Sequence, residues 1–195
     1  MPRPRTSPKD EVLRGAMHAF WQNGFEATSM ADLVAATGST RQSIYGDFGN
    51  KDGLYRACFA LYREEVVQTA VAPLTHEDAG LDGIAGYFET QIARAEAIGL
   101  PGLGCLVGNA MTETAPCDKD INALVDQHND LLAQCFAEAL PKRLPPAKRE
   151  ELSQFLVVAA QGLWAISRVT SCADSLRARA KTILQMIRLE IDNAE

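Results

Sequence analysis

Apolar residues along the chain recur three and four positions apart, and no segment holds the strict alternation of a half-buried strand, so the pattern predicts an all-α protein. About nine helices can be drawn. The first spans about 8 to 24, with Pro8 suited to an opening turn, Asp10 and Glu11 at its positive end, Leu13, Ala16, Ala19 and Phe20 as an apolar stripe, and Gly24 as the stop. A short second helix over 30 to 37 has Ser29 as N-cap, Asp32 in capping-box position and Gly38 at its end. The third covers about 40 to 46. Asn50 caps a fourth that runs to about Ala72, before Pro73, a rod of roughly 34 Å.

The remaining pattern places helices at about 79 to 98, 104 to 114, 118 to 140, 147 to 172 and 174 to 192. Proline and glycine mark the joints between them, at Gly99 to Gly104, Ala115-Pro116 and Leu140 to Pro146, with a last break near Cys172. No solenoid-length repeat or low-complexity segment occurs, so the helices are expected to pack as a bundle rather than a linear stack. The long fourth helix divides the chain into a three-helix head, 1–56, and a helical body, 57–195.

A hydrophobic content of 47% supplies a core and argues against disorder. No run of about 18 apolar residues occurs and Met1 to Asp10 has no apolar stretch, so neither a membrane span nor a secretory signal is expected, and the expected compartment is the cytoplasm. Five cysteines, Cys58, Cys105, Cys117, Cys135 and Cys172, are widely spaced without a C-x-x-C pair, which fits reduced thiols better than disulfides or a zinc site. No metal or cofactor is implied. The net charge of −6 disfavours nucleic acid until it is divided along the chain: residues 1–56 hold seven basic and six acidic side chains, leaving −7 for the rest. Repulsion from such a body is screened beyond roughly 8 Å at physiological salt, so a near-neutral head can still approach a polyanion.

The chemistry concentrates between Thr28 and Leu54. Two short helices joined through Gly38 have helix-turn-helix geometry, with the glycine permitting the tight turn and Leu33, Ala36 and Ile44 packing the pair. The second is then free to enter a DNA major groove with Thr40, Arg41, Gln42, Ser43 and Tyr45 facing outward. That set offers a guanidinium for guanine, an amide for adenine and hydroxyls for phosphates or bases. Ser29, at a helix N-terminus, and Lys51, in the opening turn of the fourth helix, suit phosphate contacts that set register without reading sequence. Phe48 is assigned to the core. Arg3 and Arg5, in an arm kept extended by Pro2, Pro4 and Pro8, can reach an adjacent minor groove, or form a solvated tail.

These residues resemble the tetracycline-repressor (TetR) family, whose signature here is a threonine or serine pair, a small apolar helix, a glycine and a Tyr-x-x-Phe-x-x-Lys-x-x-Leu run. The chain shows Thr28-Ser29, Gly38 and Tyr45-x-x-Phe48-x-x-Lys51-x-x-Leu54, preceded by Ala19-Phe20 and Gly24-Phe25, over about 45 residues. It departs at Val34 and Thr37, where the family favours alanine, at Ser39, where it favours valine, and at Asp47, an acid beside the DNA face. The resemblance implies a homodimeric transcriptional repressor that holds a palindromic double-stranded operator and leaves it when a small-molecule inducer binds.

Gly104 to Ala110 and Gln161 to Trp164 are similar to one branch of that family. By this resemblance the last two helices form a four-helix bundle with those of a second subunit. Phe155, Leu156, Ala159, Leu163 and Ile166 on one helix and Leu176, Ile183, Leu184, Ile187 and Ile191 on the next present more apolar face than a monomer readily hides. The resemblance also places a pocket among the central helices, for which Tyr87, Phe88, Cys105, Asn109, Met111, His128, Gln161 and Trp164 offer mixed polarity. Tyr87, Met111 and Trp164 at helical spacing are more often plain core, and His128, flanked by Asp126 and Asp130, more often a solvated helix residue. Cys105 opens a predicted helix, where unpaired amides favour thiolate, so an alternative is a thiol sensor of electrophiles or oxidants. An all-helical enzyme lacks support: no metalloprotease, nucleophile-elbow or P-loop motif is present, and His18, His76 and His128 have no triad spacing. A non-specific architectural DNA protein would leave the large acidic body without a purpose.

Overall fold

The structure, a computed structural model, describes residues 8–194, and among these the regular elements are all helical. They are α1 (Pro8–Asn23), α2 (Met30–Thr37), α3 (Arg41–Phe48), a composite α4, α5 (Gly80–Ile98), α6 (Leu106–Glu113), α7 (Lys119–Ala139), α8 (Pro146–Ser167) and α9 (Ala173–Asp192). Composite α4 is α-helical over Lys51–Tyr62, π-helical over Arg63–Val67 and α-helical over Gln68–Val71, then closes in a 3-10 turn, Ala72–Leu74. The arm carrying Arg3 and Arg5 lies outside the described residues.

Local chemistry fixes the head. Ser29 Oγ accepts from the Asp32 amide at 3.2 Å while the Asp32 carboxylate accepts from the Ser29 amide at 2.8 Å, closing the expected capping box. Bonds from the Ser29 hydroxyl and amide also hold the Asp32 carboxyl below its ordinary pKa. Thr40 and Asn50 cap α3 and α4 through bonds from the Ser43 and Gly53 amides, each cap contributing about 1 kcal/mol. Gly38 ends α2 in the left-handed region at φ 65° with open space around it, so conformation rather than crowding requires the glycine. Gly15 is the opposite case: a Cβ there would lie 2.7 Å from the Ala36 carbonyl oxygen, so its absence lets α1 and α2 touch. Leu33 and Ile44 are wholly buried, whereas Ala36 is exposed and joins the packing through its backbone. Phe20 and Phe25 of the α1 segment close on Tyr55 of α4, with centroids 4.9 and 4.8 Å apart.

The expected uninterrupted fourth helix is corrected by the π turn. A strict α register after Tyr62 would turn Glu65 and Val66 inward together. The extra residue in the turn buries Val66 and Val67 instead and leaves Glu65 to pair with Arg14 at 2.6 Å. The expected eighth helix, to 172, stops at Ser167. Here the Ser167 carbonyl accepts from the Gly102 amide at 2.9 Å, so the 99–105 loop takes the place of the next turn.

In the body, Tyr87 and Phe88 of α5 meet Phe136 of α7 and Trp164 of α8, and the indole N–H donates to Tyr87 Oη at 3.3 Å. Arg177 of α9 reaches Glu89 and Glu96 of α5 at 2.9 and 2.8 Å, a surface network of small energetic weight. The buried apolar residues form one connected core from α1 to α9.

That core corrects the expected subunit face. Leu163, Leu176 and Ile187 are buried inside this chain, as are Leu156 and Ile191, because α8 and α9 turn one stripe each toward their own α7 and α5. Phe155 and Ile166 are exposed, and Ile183 and Leu184 half-buried, in the single chain. Around them lie Val158, Met186 and Leu189, apolar and exposed, which the periodicity reading passed over.

Candidate functional site

On α3, Ile44 plugs into the head and the opposite side projects outward. Arg41, Gln42, Ser43 and Tyr45 are all exposed, as are Thr40 and Ser29. The Arg41 guanidinium lies 5.9 Å from the centre of the Tyr45 ring, which orders it one turn up the same helix without neutralising it. Thr40 and Ser29 spend an oxygen lone pair on capping, so their hydroxyls serve helix geometry first. Lys51 is half-buried, its ammonium 4.2 Å from the Phe25 ring centre. Phe48 is half-buried, with Lys9 Nζ 5.1 Å from its ring centre. Asp47 is exposed on α3. Arg14 and Arg56 are tied to Glu65 and Asp118 and so are committed within the fold.

Behind the head, an inner cavity of about 40 Å³ lies between α1, α4, α5, α7 and α8. Four of the residues expected in a pocket meet there: Tyr87, Cys105, His128 and Trp164. Cys105, Asn109, Met111, Gln161 and Trp164 line an open groove of about 520 Å³ between α6 and α8. The expected pocket is thus two sites that share Cys105 and Trp164. Phe88 lines neither and is corrected to core, wedged against Trp164 at a centroid distance of 6.2 Å. Met111 stands exposed at the groove. Gln161 donates to Asn129 Oδ1 at 3.2 Å, while its own oxygen is buried with no partner among the described residues.

Sequence reasoning missed Trp21, Tyr62 and Arg94, all on the inner wall. Met17 and Trp21, one turn apart beside the Ala16 and Phe20 stripe, were the available signal for a wider buried face on α1. Trp21 Nε1 donates to the Gly104 carbonyl at 3.1 Å, and Asn109 Nδ2 donates to the Leu103 and Trp21 carbonyls at 3.2 and 3.4 Å. At the far end of α6, Glu113 accepts from the Phe25 and Glu26 amides at 3.0 and 2.8 Å. Helix α6 therefore touches the cavity at one end and the α1–α2 turn at the other.

Cys105 is the N-cap of α6; its sulfur accepts from the Gly108 amide at 3.3 Å and lies 3.7 Å from His128 Nε2. Burial opposes ionisation, but His128, by charge and hydrogen bonding, and the Gly108 and Tyr62 contacts together bring the thiol below its ordinary pKa. Burial and the neighbouring sulfur push the Tyr62 phenol well up. Cys58, without such neighbours, is pushed up by burial alone. All five cysteines are free. Among the described residues no group of His, Cys, Asp or Glu is arranged to hold a metal ion, and no helix is long and apolar enough to cross a membrane.

An outward helix in a capped helix-turn-helix, carried on a helical body with an internal cavity, defines a DNA-binding regulator. Residues 12–58 match the family model of bacterial regulatory proteins, tetR family. The chain is 32% identical over 190 residues to the HTH-type transcriptional repressor ComR of Escherichia coli (strain K12), an alignment covering 94% of this chain and 90% of that one. It is 24% identical over 191 residues to the HTH-type transcriptional regulator YezE of Bacillus subtilis (strain 168), covering 90% and 94%. Among solved structures, a cysteine mutant of the TetR family regulator CifR, complexed with 26-bp operator DNA, superposes with a TM-score of 0.79 at 25% identity, covering 94% of this chain and 98% of that one. The chain belongs to the tetR family of bacterial regulatory proteins, which are DNA-binding transcriptional regulators and not enzymes.

Proposed function

We propose that the protein is a cytoplasmic, homodimeric repressor whose residues 1–56 read a palindromic operator and whose residues 57–195 dimerise and bind a small-molecule inducer. The observation that carries this reading is the two-sidedness of α3: Ile44 fully buried, with Arg41, Gln42, Ser43 and Tyr45 facing solvent one turn around it. Arg41 and Gln42 read base edges, Ser43 and Tyr45 reach bases or phosphates, and Ser29, Thr40 and Lys51 fix register on the backbone. The outer apolar face of α8 and α9, with Phe155, Ile166, Ile183 and Leu184, pairs with its copy and sets two α3 helices about 34 Å apart. For inducer to shift operator occupancy from 99:1 to 1:99 it must discriminate between head arrangements by about 5.5 kcal/mol.

A mobility-shift assay against the intergenic DNA flanking the gene tests this. One palindromic fragment should keep its preference over random DNA as salt is raised, since counterion release weakens both while base contacts favour only one. Equal, salt-labile binding to every fragment would falsify the specific-regulator reading.

A second reading, a thiol sensor in the same fold, is favoured by the pairing of Cys105 with His128. A quinone entering the cavity would add the thiolate at a ring carbon: the carbon–sulfur bond forms, the ring C=C π pair moves out to the quinone oxygen, and that oxygen takes up the proton the thiol had passed to His128. H128Q removes the main group favouring the anion, so the pH profile of Cys105 alkylation by iodoacetamide should move to higher pH. A profile identical to that of the parent removes His128, and with it this reading.

A further inference from the structure

We propose that the inner cavity selects a planar organic anion, an aromatic carboxylate by class, with Arg94 as its charge partner. This rests on the reading of the body as an inducer sensor and adds the chemistry of the inducer. The chain carries 25 acidic residues against 19 basic ones, yet the cavity wall contains no aspartate or glutamate. It does contain the half-buried guanidinium of Arg94.

That guanidinium has no ion pair among the described residues. One turn away on α5 stand Thr90, Gln91, Ala97 and Ile98, none of them acidic. The acids nearest along the helix, Glu89 and Glu96, are both taken by Arg177 of α9. Any negative charge on Cys105 is met by His128 at 3.7 Å, so Arg94 is the uncompensated charge on the wall. A cationic ligand is disfavoured by that charge and finds no carboxylate to pair with.

The preference for a ring comes from the rest of the wall. Trp21, Tyr62, Tyr87 and Trp164 surround the space, and Arg94 lies over Trp21 with its guanidinium 5.6 Å from the ring centre. A flat ligand bearing a carboxylate would stack on the indole and offer the guanidinium two oxygens in place of the π face, a bidentate geometry that arginine favours. Size adds a mechanical requirement. A dry cavity that holds one benzene ring is on the order of 150 Å³, so a space of about 40 Å³ accepts a ring only if Arg94 and Trp21 part. Trp21 belongs to α1 of the head, and its indole N–H is bonded to the loop just before Cys105, so the ligand would push directly on the head.

Trp21 and Trp164 are the two tryptophans of the chain and both line the cavity, so intrinsic fluorescence reads the site directly. The full chain is titrated with benzoate, trans-cinnamate and 2-naphthoate, each beside its own carboxamide. At least one carboxylate should change the emission saturably and bind at least about tenfold tighter than its amide, the discrimination that one charge-assisted pair supplies. R94Q should erase that preference and R94K should retain part of it. Equal binding of acid and amide to the parent protein overturns the assignment, as does an undiminished preference in R94Q or the absence of a saturable response to all three acids. The acid–amide comparison uses the parent protein, so it stands even if R94Q folds poorly. Operator release by a neutral or cationic compound would sink the anion assignment and spare the inducer-sensor reading. Failure to bind any operator would sink that reading whatever the fluorescence shows.

Discussion

Replacing Arg41 and Gln42 together by alanine should remove specific operator binding at protein concentrations that saturate the parent. Both side chains are exposed on α3 and contribute nothing to the head's core, so the variant keeps its helix and, by propensity, strengthens it. A bidentate contact from arginine to guanine or glutamine to adenine discriminates by about 1–3 kcal/mol, so losing both costs about 2–6 kcal/mol, roughly 30-fold or more in Kd. The weak binding that remains should be insensitive to sequence and strongly dependent on salt, because Lys51 and the helix N-termini still meet phosphates. Quantitative mobility shifts on the operator and a scrambled fragment measure both effects. Operator affinity equal to the parent's would mean that α3 does not read DNA.

Placing acids on the outer face of the last two helices should be equally decisive. In a protein carrying V158D and L189D, sedimentation should give a mass near 21.2 kDa instead of twice that value. Val158 and Leu189 are 71% and 61% exposed in the single chain, so carboxylates there cost the monomer little. A two-fold axis repeats each change, burying four carboxylates in an apolar interface at several kcal/mol each. A stable interface of this kind removes about 800 Å² from each partner, and this penalty exceeds what that area returns after association costs. The monomer should also bind operator about 10²–10⁴ times more weakly, since each half-site loses its tethered neighbour. Ile187 is unsuitable for this test: it is buried, and a charge there would unfold the chain rather than split a dimer. A dimer mass for the doubly substituted protein would move the interface elsewhere.

The head was nearly complete in the sequence because its determinants are local. Ser29 with Asp32, Gly38, and Asn50 each act within a few residues, and the structure has the capping box, the left-handed turn and the helix start at those positions. The body was legible only as a set of helices. Periodicity marked Leu163, Leu176 and Ile187 as apolar, but not whether their stripe faces α5 and α7 or a second subunit, since both faces of a bundle helix read alike. The π turn escaped for a related reason: which of Glu65 and Val67 goes to the core is not visible in the local pattern, and the partner that Glu65 takes, Arg14, lies some 51 residues away. Arg94 was invisible because nothing in its own helix distinguishes a solvated arginine from one laid over an indole of α1.

Helix α6 is eight residues long, a strut of roughly 12 Å, anchored at every point that matters. Cys105 begins it at the cavity, Asn109 pins its middle to two carbonyls, and Glu113 grips the amides that follow α1. A link with so little slack would pass on displacement instead of absorbing it, so on the proposed reading a ligand that parts the cavity walls would tilt the head as one piece. If the cavity and α3 act as proposed, the strut also separates two kinds of variation: changes on the cavity walls would retune which compound is detected and changes on α3 which DNA is held, with the same short connector serving every combination.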